Sequence, residues 1–484
     1  MGTITANPAA QGAVIGQAVS MRRFACILAG CGGFFLVVSA SAIADDASSL
    51  PRYALPVGRQ LSYSGQSTFT YQNGSFNTVD SYRLTVVGEN TDGSRRILVR
   101  SGENEVQNRA GQPTSQPSVE SEDVSYTQVN IFPDGRVVSA AGGWNAEAPP
   151  VLPPLPVDQK EMSATWKREP KFPGETDVFH SGGPAVSGQW TMSSSSEGTF
   201  QVIYGMNSDQ TYHFDDARGV VTEIDTHNQQ DYGFHGTGNG TLKLDSDQML
   251  PADQVGLLAK ESATVMAAEA DLDKKMDQIG DAPHASDGIV AAAKAALTAA
   301  SASVSNPELK LELDGRLGQI DANVKSAVET ADRIAAVKDK PAFEFSANDM
   351  AGQPHKLSDY RGKVVVLDFW YRGCGWCMRA MPDMKKVADD FKDKPVVVLG
   401  MNTDEQAADA KFVIDAMKLN YQTLSFTMEL AKKFNVEGYP SLLVIDGKGI
   451  VREFDEGYSP TLRADLDKKI QGLLDGSGAA AAAR

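Results

Sequence analysis

Cysteine is scarce in these 484 residues: there are four, and Cys26 and Cys31 both fall in a leader-like N-terminal segment. Removal of that leader leaves only Cys374 and Cys377, which excludes a framework of structural disulfides and singles out one closely spaced pair. Histidine is sparse too, and His180, His213, His227 and His235 follow no compact zinc spacing, so no metal is expected. Positive charge is outweighed, with 45 Lys and Arg against 62 Asp and Glu and a net charge of −17. With no basic cluster to interrupt the acidic balance, nucleic acid is not an expected partner. Long apolar runs are missing: the stretch from Phe24 to Val38 is shorter than the roughly 20 residues of a membrane-spanning helix. What is present is ordinary globular usage, 42% hydrophobic with 44 Gly and 23 Pro, which excludes disordered and collagen-like classes. The length suits about three domains.

Residues 1–44 read as a secretory signal. Met21-Arg22-Arg23 precedes the apolar run, and Ala42 and Ala44 form a small-residue cleavage site, with Met21 as an alternative start. Two rivals remain: Leu28-Ala29-Gly30-Cys31 resembles a bacterial lipobox that would carry a lipid on Cys31, and the segment could stay uncleaved as a signal anchor. All three place the bulk of the chain in the periplasm or cell envelope. The leader carries two Arg and no acid, so its loss makes the remainder more acidic still.

Residues 45–250 are expected to form a mainly-β barrel or sandwich. Short runs rich in Thr, Ser, Tyr and Val are separated by Asn73-Gly74, Asp92-Gly93, Asp134-Gly135 and Asn239-Gly240, pairs that tolerate the positive φ of hairpin turns. Pro149 to Pro156 reads as a stiff connector. Trp144, Trp166 and Trp190 are core candidates before they are ligand contacts. No catalytic constellation is visible here, and a partner or apolar ligand is the expectation for this domain. Residues 251–338 turn Ala-, Asp-, Lys- and Leu-rich and predict a helical linker or hairpin of two or three helices, with starts at Pro251 and Asn306-Pro307 and a break at Ala282-Pro283. Leu317, Ile320, Val324, Val328 and Ala331 recur at helical period, so one stripe is buried.

Residues 339–477 form the third expected domain, α/β in pattern, and 478–484 a disordered tail. Lys363 to Trp370 is a buried strand that runs at once into Cys374-Gly375-Trp376-Cys377 and a helical stretch. At such a junction the helix N-terminus stabilises a thiolate on the first cysteine, and the second lies one turn on, within disulfide reach. Cys374 is therefore the expected nucleophile and Cys377 the resolving thiol. A zinc knuckle would need a second cysteine pair, and none exists.

This third domain resembles a TlpA-like extracytoplasmic thioredoxin, the group that includes the thioredoxins of cytochrome c maturation. The resemblance rests on Leu357-Ser358-Asp359-Tyr360-Arg361-Gly362-Lys363, Asp368-Phe369-Trp370, the CGWC pair, Met381-Pro382 and Phe434-x-Val436-x-x-x-Pro440. It implies a thioredoxin fold, no cofactor, Asp368 as the buried acid serving Cys377, and Pro440 as the cis-proline facing the pair. Pro382 would kink the active-site helix and Trp370 pack beneath the site, while Trp376 and Tyr439 would contact substrate. There are departures: Gly373 replaces the Trp usual before the first cysteine, Trp376 stands where Pro is frequent, and Ala380 and Tyr439 depart from the cytochrome c maturation members.

The expectation is an extracytoplasmic thiol-disulfide oxidoreductase that reduces protein disulfides, with protein dithiols and disulfides as substrates and a membrane thiol electron donor. The alternatives are a peroxiredoxin-like antioxidant, against which no T-x-x-C context is found, or a ligand- or partner-binding protein with a regulatory redox domain.

Overall fold

A computed structural model describes residues 50–109, 123–138, 148–168, 175–182, 188–232 and 235–482. The leader with Cys26 and Cys31, and Trp144, lie outside these residues. Among the described residues no helix is long and apolar enough to cross a membrane.

Eleven antiparallel strands make one sheet: β1 (Arg59–Tyr71), β2 (Gly74–Glu89), β3 (Arg95–Arg109), β4 (Asp123–Ile131), β5 (Val137–Val138), β6 (Thr165–Lys167), β7 (Glu175–Ser181), β8 (Gln189–Gly198), β9 (Asn207–Asp215), β10 (Val220–Gln230) and β11 (Gly236–Met249). Short helices α1 (Gln159–Met162) and α2 (Thr199–Tyr204) interrupt the series. The strand order is β5-β4-β3-β2-β1-β11-β10-β9-β8-β7-β6, so the first and last strands meet at the centre and short strands form the edges. A sandwich would need two sheets; here a single sheet curls, because Leu61, Leu84, Ile97, Ile131, Trp166, Trp190 and Phe214 from strands across its whole width share one core. No ladder joins β5 to β6, so the described strands form an open barrel and not a closed one.

The turns at Asn73-Gly74, Asp92-Gly93 and Asp134-Gly135 fall between strands, while Asn239-Gly240 lies inside β11, with Gly240 paired to Ser67 and Thr226. A Cβ at Gly240 would stand 2.7 Å from that of Ser67, so close strand approach, not a turn, calls for glycine there. The proline-rich segment also differs from its expected role as a connector. Val151, Leu152 and Leu155 are fully buried in the sheet's core. The carbonyls of Pro153 and Pro154 accept hydrogen bonds from the Tyr53 hydroxyl (2.7 Å) and the Trp166 indole N–H (3.3 Å). Its apolar side chains plug the open barrel, and proline suits such a segment because it brings no backbone donor to be satisfied.

The opposite face of the sheet carries a helical layer: α3 (Ala252–Asp281), α4 (Asp287–Ser303) and α5 (Pro307–Ala335). Alternation along the strands makes this possible, since Ile97 and Val99 enter the barrel core while Leu98 points the other way, to join Val87 and Tyr126 against Val265, Leu297, Leu309 and Leu313. Asn306 caps α5, its side chain accepting from the N–H groups of Glu308 and Leu309, with Pro307 in the first turn. Helices expected to be a linker are thus packed against the sheet.

The C-terminal unit begins with a small hairpin, β12 (Ser346–Asn348) and β13 (Pro354–Lys356). It continues with β14 (Val364–Trp370), α6 (Gly375–Asp390), β15 (Val396–Asn402), α7 (Ala407–Met417), β16 (Gln422–Leu424), α8 (Met428–Lys433), β17 (Ser441–Ile445), β18 (Val451–Glu456) and α9 (Leu462–Ala482). The sheet order is β16-β15-β14-β17-β18, with β14, β15 and β16 parallel and β17 and β18 antiparallel to their neighbours. β14 is buried along its whole length, as a central strand covered on both faces must be. The tail expected to be disordered continues α9 as far as Ala482, in keeping with the helix propensity of its alanines.

Truncation of Leu152 separates a plug from a connector. Leu152→Ala should destabilise the sheet domain by about 2–5 kcal/mol in urea unfolding, the cost of a core cavity, whereas a solvated linker residue would move it by less than about 0.5 kcal/mol.

Candidate functional site

β14 delivers the chain to the site, and its alternation sorts the residues. Val365, Leu367 and Phe369 enter one core; Val364, Val366, Asp368 and Trp370 point to the other face, where α6 and α9 pack. Asp368 and Trp370 therefore stand on the α6 side of the sheet. Between β14 and α6 the chain turns through Tyr371-Arg372-Gly373, with the Arg372 N–H donating to both carboxylate oxygens of Asp404 at 3.1 and 3.0 Å.

Cys374 occupies the N-cap of α6 and is joined to Cys377 by a disulfide, and the Cys377 N–H points at the Cys374 Sγ at 3.0 Å. Once the bond is reduced, that N–H and the positive end of the helix dipole fall on the Cys374 sulfur, the arrangement that favours a thiolate. The buried face of α6, Cys377, Met378, Met381 and Met384, follows helical spacing and puts Cys377 deeper than Cys374. Pro382 lies within this helix and takes one donor out of its hydrogen-bond ladder.

Asp368 is fully buried, and its one hydrogen bond of note comes from the Tyr421 hydroxyl at 3.0 Å. Burial pushes its pKa from the ordinary 3.8 up to about 7, while the Tyr421 hydrogen bond pulls the other way. An acid with that pKa exchanges a proton near neutral pH, as a general acid-base group must. Trp370 is fully buried and shares one cluster with Cys374, Cys377, Met378 and Met381. Trp376 is partly exposed, stacked on Tyr458, with the Arg379 guanidinium 4.3 Å from its ring centre. Tyr439 meets Tyr371 edge-on at 5.1 Å, and the Tyr439–Pro440 peptide bond is cis.

The same cluster holds two residues from the N-terminal sheet, Ile203 and Tyr204 of α2. Arg372 binds them in: its Nε and Nη2 donate to the Ile203 carbonyl at 3.0 and 2.7 Å, and its Nη1 pairs with Asp409 at 2.9 Å. The guanidinium lies between the rings of Tyr232 and Phe412, 4.0 and 4.2 Å from their centres. Sequence reasoning missed Arg372, Tyr421, Ile203 and Tyr232. Arg372 had one local signal, a cation two residues before the first cysteine; the others reach the site only through tertiary structure.

The four histidines of the sheet are spread over separate strands or loops; His180 is bonded to Thr165, His213 to Asp225 and His227 to Asn239. Among the described residues no group of three or more His, Cys, Asp or Glu is placed to hold a metal.

Comparison with known proteins bears on this C-terminal unit alone. Residues 339–454 match the AhpC/TSA family. The chain is 27% identical over 143 residues to thiol-disulfide oxidoreductase ResA of Geobacillus kaustophilus, a match covering 29% of this chain and 81% of the relative. It is 28% identical over 131 residues to thioredoxin-like protein YneN of Bacillus subtilis, covering 27% and 76%. Among solved structures, a thiol:disulfide interchange protein of the thioredoxin family from Chlorobium tepidum is 26% identical, with 28% of this chain and 98% of that chain covered and a TM-score of 0.27.

Two variants test the buried acid. A carboxyl with a raised pKa costs the fold nothing below its unfolded value of 3.8 and most above about 7. Asp368→Asn should therefore stabilise the protein at pH 8 by a few kcal/mol at most, with the gain shrinking as pH falls through 7 and vanishing below about 4, read by urea unfolding across that range. Tyr421→Phe removes the hydroxyl that favours the charged form, so the Asp368 titration followed by carbon NMR should shift upward. The C-terminal unit that carries this site is a thioredoxin-like domain of AhpC/TSA type, with TlpA-like thiol-disulfide oxidoreductases among its relatives.

Proposed function

We propose that this chain is an extracytoplasmic thiol-disulfide oxidoreductase whose Cys374–Cys377 couple reduces protein disulfides. The observation that carries the reading is the cysteine pair at the start of α6, with the Cys377 N–H on the Cys374 sulfur. The buried Asp368 on the facing side of β14 supports it. The relatives' printed activity, thiol-disulfide oxidoreductase, is the same. A leader-like N-terminus supports a place in the periplasm or cell envelope.

The reaction balances on the residues present. The Cys374 thiolate attacks one sulfur of the substrate disulfide, a Cys374–substrate disulfide forms, and the other substrate sulfur leaves as a thiolate and takes up a proton. Cys377 gives its proton to Asp368, attacks the Cys374 Sγ and expels the second substrate sulfur, which is protonated in turn. The substrate has then gained two electrons and two protons, and the enzyme holds the Cys374–Cys377 disulfide. A second dithiol, held in the membrane in this reading, returns the enzyme to its reduced form by the reverse exchange. Trp376, between the two cysteines, Tyr439, packed against their cluster, and the cis Pro440 would contact the substrate chain. The peroxide-handling alternative finds less support, since both cysteines sit within one helical turn with no T-x-x-C context. A role in cytochrome c biogenesis rests on the family resemblance alone.

Two measurements test this reading. Cys377→Ser should abolish turnover of a protein disulfide and accumulate a mixed disulfide on Cys374, seen as a reducible adduct in mass spectra. The Cys374–Cys377 couple should equilibrate with dithiothreitol or glutathione buffers at or below roughly −250 mV; a value near roughly −120 mV would make it an oxidant that installs disulfides.

A further inference from the structure

Thiol exchange needs access to sulfur, and here the sulfur is covered by the chain itself. Cys374 is only 5% exposed. The end of the N-terminal sheet reaches the buried cluster that holds it, through Ile203 and Tyr204: α2 joins β8 to β9, and the N–H groups of Asp231 and Tyr232 just past β10 donate to the Tyr204 carbonyl at 3.3 and 3.0 Å. Gly205 closes α2 in the left-handed region with φ 57°, and a Cβ there would stand 2.7 Å from that of Asp231, so glycine lets the two segments close up.

Within α2 the side chains divide. Val202 is 56% exposed and turns outward, whereas Ile203 is fully buried against the cluster of Cys374, Cys377, Met378 and Met381. Ile203 belongs to no part of the sheet's own core, so its burial depends on the thioredoxin-like domain. A Cβ at Gly373 would press on the Tyr371 ring of its own loop at 2.8 Å and lie 4.0 Å from the Tyr232 ring, an ordinary contact distance, so Tyr232 stands directly beside this loop. Arg372 fastens the contact through the Ile203 carbonyl and the Tyr232 ring.

We propose that α2 and Tyr232 form a size-selective gate over the Cys374–Cys377 pair, latched by Arg372, which excludes folded proteins until it opens and passes small thiols and disulfides. Ile203, Tyr232 and Arg372 are then specificity-determining residues for the reaction proposed above, and the inference relies on that reading only for the substrate's identity. Undocking breaks no covalent bond and leaves the barrel core intact, its cost being the exposure of Ile203 and Tyr204 and the loss of the Arg372 grip: α2 is six residues long, lies outside the barrel core and is bounded by Gly198 and Gly205. Short segments of this kind open at low free energy relative to the whole fold.

The test uses the reduced full-length chain and two reagents of one chemistry, N-ethylmaleimide and a maleimide carrying a long polyethylene glycol chain, with modification read on the peptide that holds Cys374. In the unaltered protein the small reagent should react at least about tenfold faster than the large one, and Ile203→Asp should bring the two to within about twofold, as an open site predicts. Arg372→Lys keeps the charge but loses the two-pronged grip on the Ile203 carbonyl, and should move the ratio in the same direction without touching the sheet domain. A ratio near twofold in the unaltered protein overturns the gate, as does a ratio unchanged by Ile203→Asp with far-ultraviolet circular dichroism intact. If Ile203→Asp does not fold, an unchanged ratio in Arg372→Lys overturns it. Reduction of insulin disulfides, measured alongside, separates the two ideas. Ile203→Asp that takes the large reagent yet reduces no insulin upholds the gate and refutes the oxidoreductase reading. Equal insulin reduction by the unaltered protein and Ile203→Asp refutes the gate and upholds the oxidoreductase.

Discussion

The Arg372 guanidinium carries a charge that the fold takes largely out of water, and every arm of it is accounted for. Two nitrogens face one carbonyl of the N-terminal sheet, a third faces Asp409, and both planar faces lie against aromatic rings. A cation so placed has to be paired, because an unpaired one would cost several kcal/mol of lost hydration. The planar fork also dictates geometry, since a single carbonyl must stand where both Nε and Nη2 can reach it. The relative placement of the sheet and the thioredoxin-like domain at this end follows from that demand.

At the other end the same two units are tied through the helices. α3, α4 and α5 lie on the outer face of the large sheet around Val87, Leu98 and Tyr126, and Glu308 at the start of α5 is bound by Arg83 and Tyr126. The last turn of α5 reaches the thioredoxin-like core: Arg333 pairs with both oxygens of Glu456 at 2.9 and 3.1 Å, and Val337 is buried beside Phe345 and Phe454. Arg333 is as little exposed as Glu456, and the two-pronged charged hydrogen bond between them offsets the hydration both give up. Sheet, helices and thioredoxin-like domain thus close a ring of contacts, with the redox pair at the point where the ring meets itself.

How much of this could be read in the sequence depends on how far apart the interacting residues lie. The CGWC pair, Asp368 six residues upstream and Pro440 before a strand are local patterns, and the buried run that becomes β14 is legible in the same way, whereas the length of α9 and the short strands β12, β13 and β16 are not. Tyr421 is 53 residues from Asp368, and Ile203 is 169 from Arg372, and no periodicity spans such gaps. α2 itself is written in residues of β character, Thr199-Phe200-Gln201-Val202-Ile203-Tyr204, and packing overrides that preference. Pro149 to Pro156 and Asn239-Gly240 misled for a related reason: proline and glycine report what the backbone can do, and here the backbone was needed inside a core and between two close strands.

The large sheet narrows toward its edges. Its second strand runs for 16 residues, yet β5 has two and β6 has three. An antiparallel sheet this wide would otherwise offer a long row of free N–H and C=O groups on which a neighbouring molecule could add its own strand. Among the described residues the two outermost strands, of two and three residues, offer only short templates for such growth, which lets the barrel stay open and keep room for its plug with little outermost edge on which copies could stack.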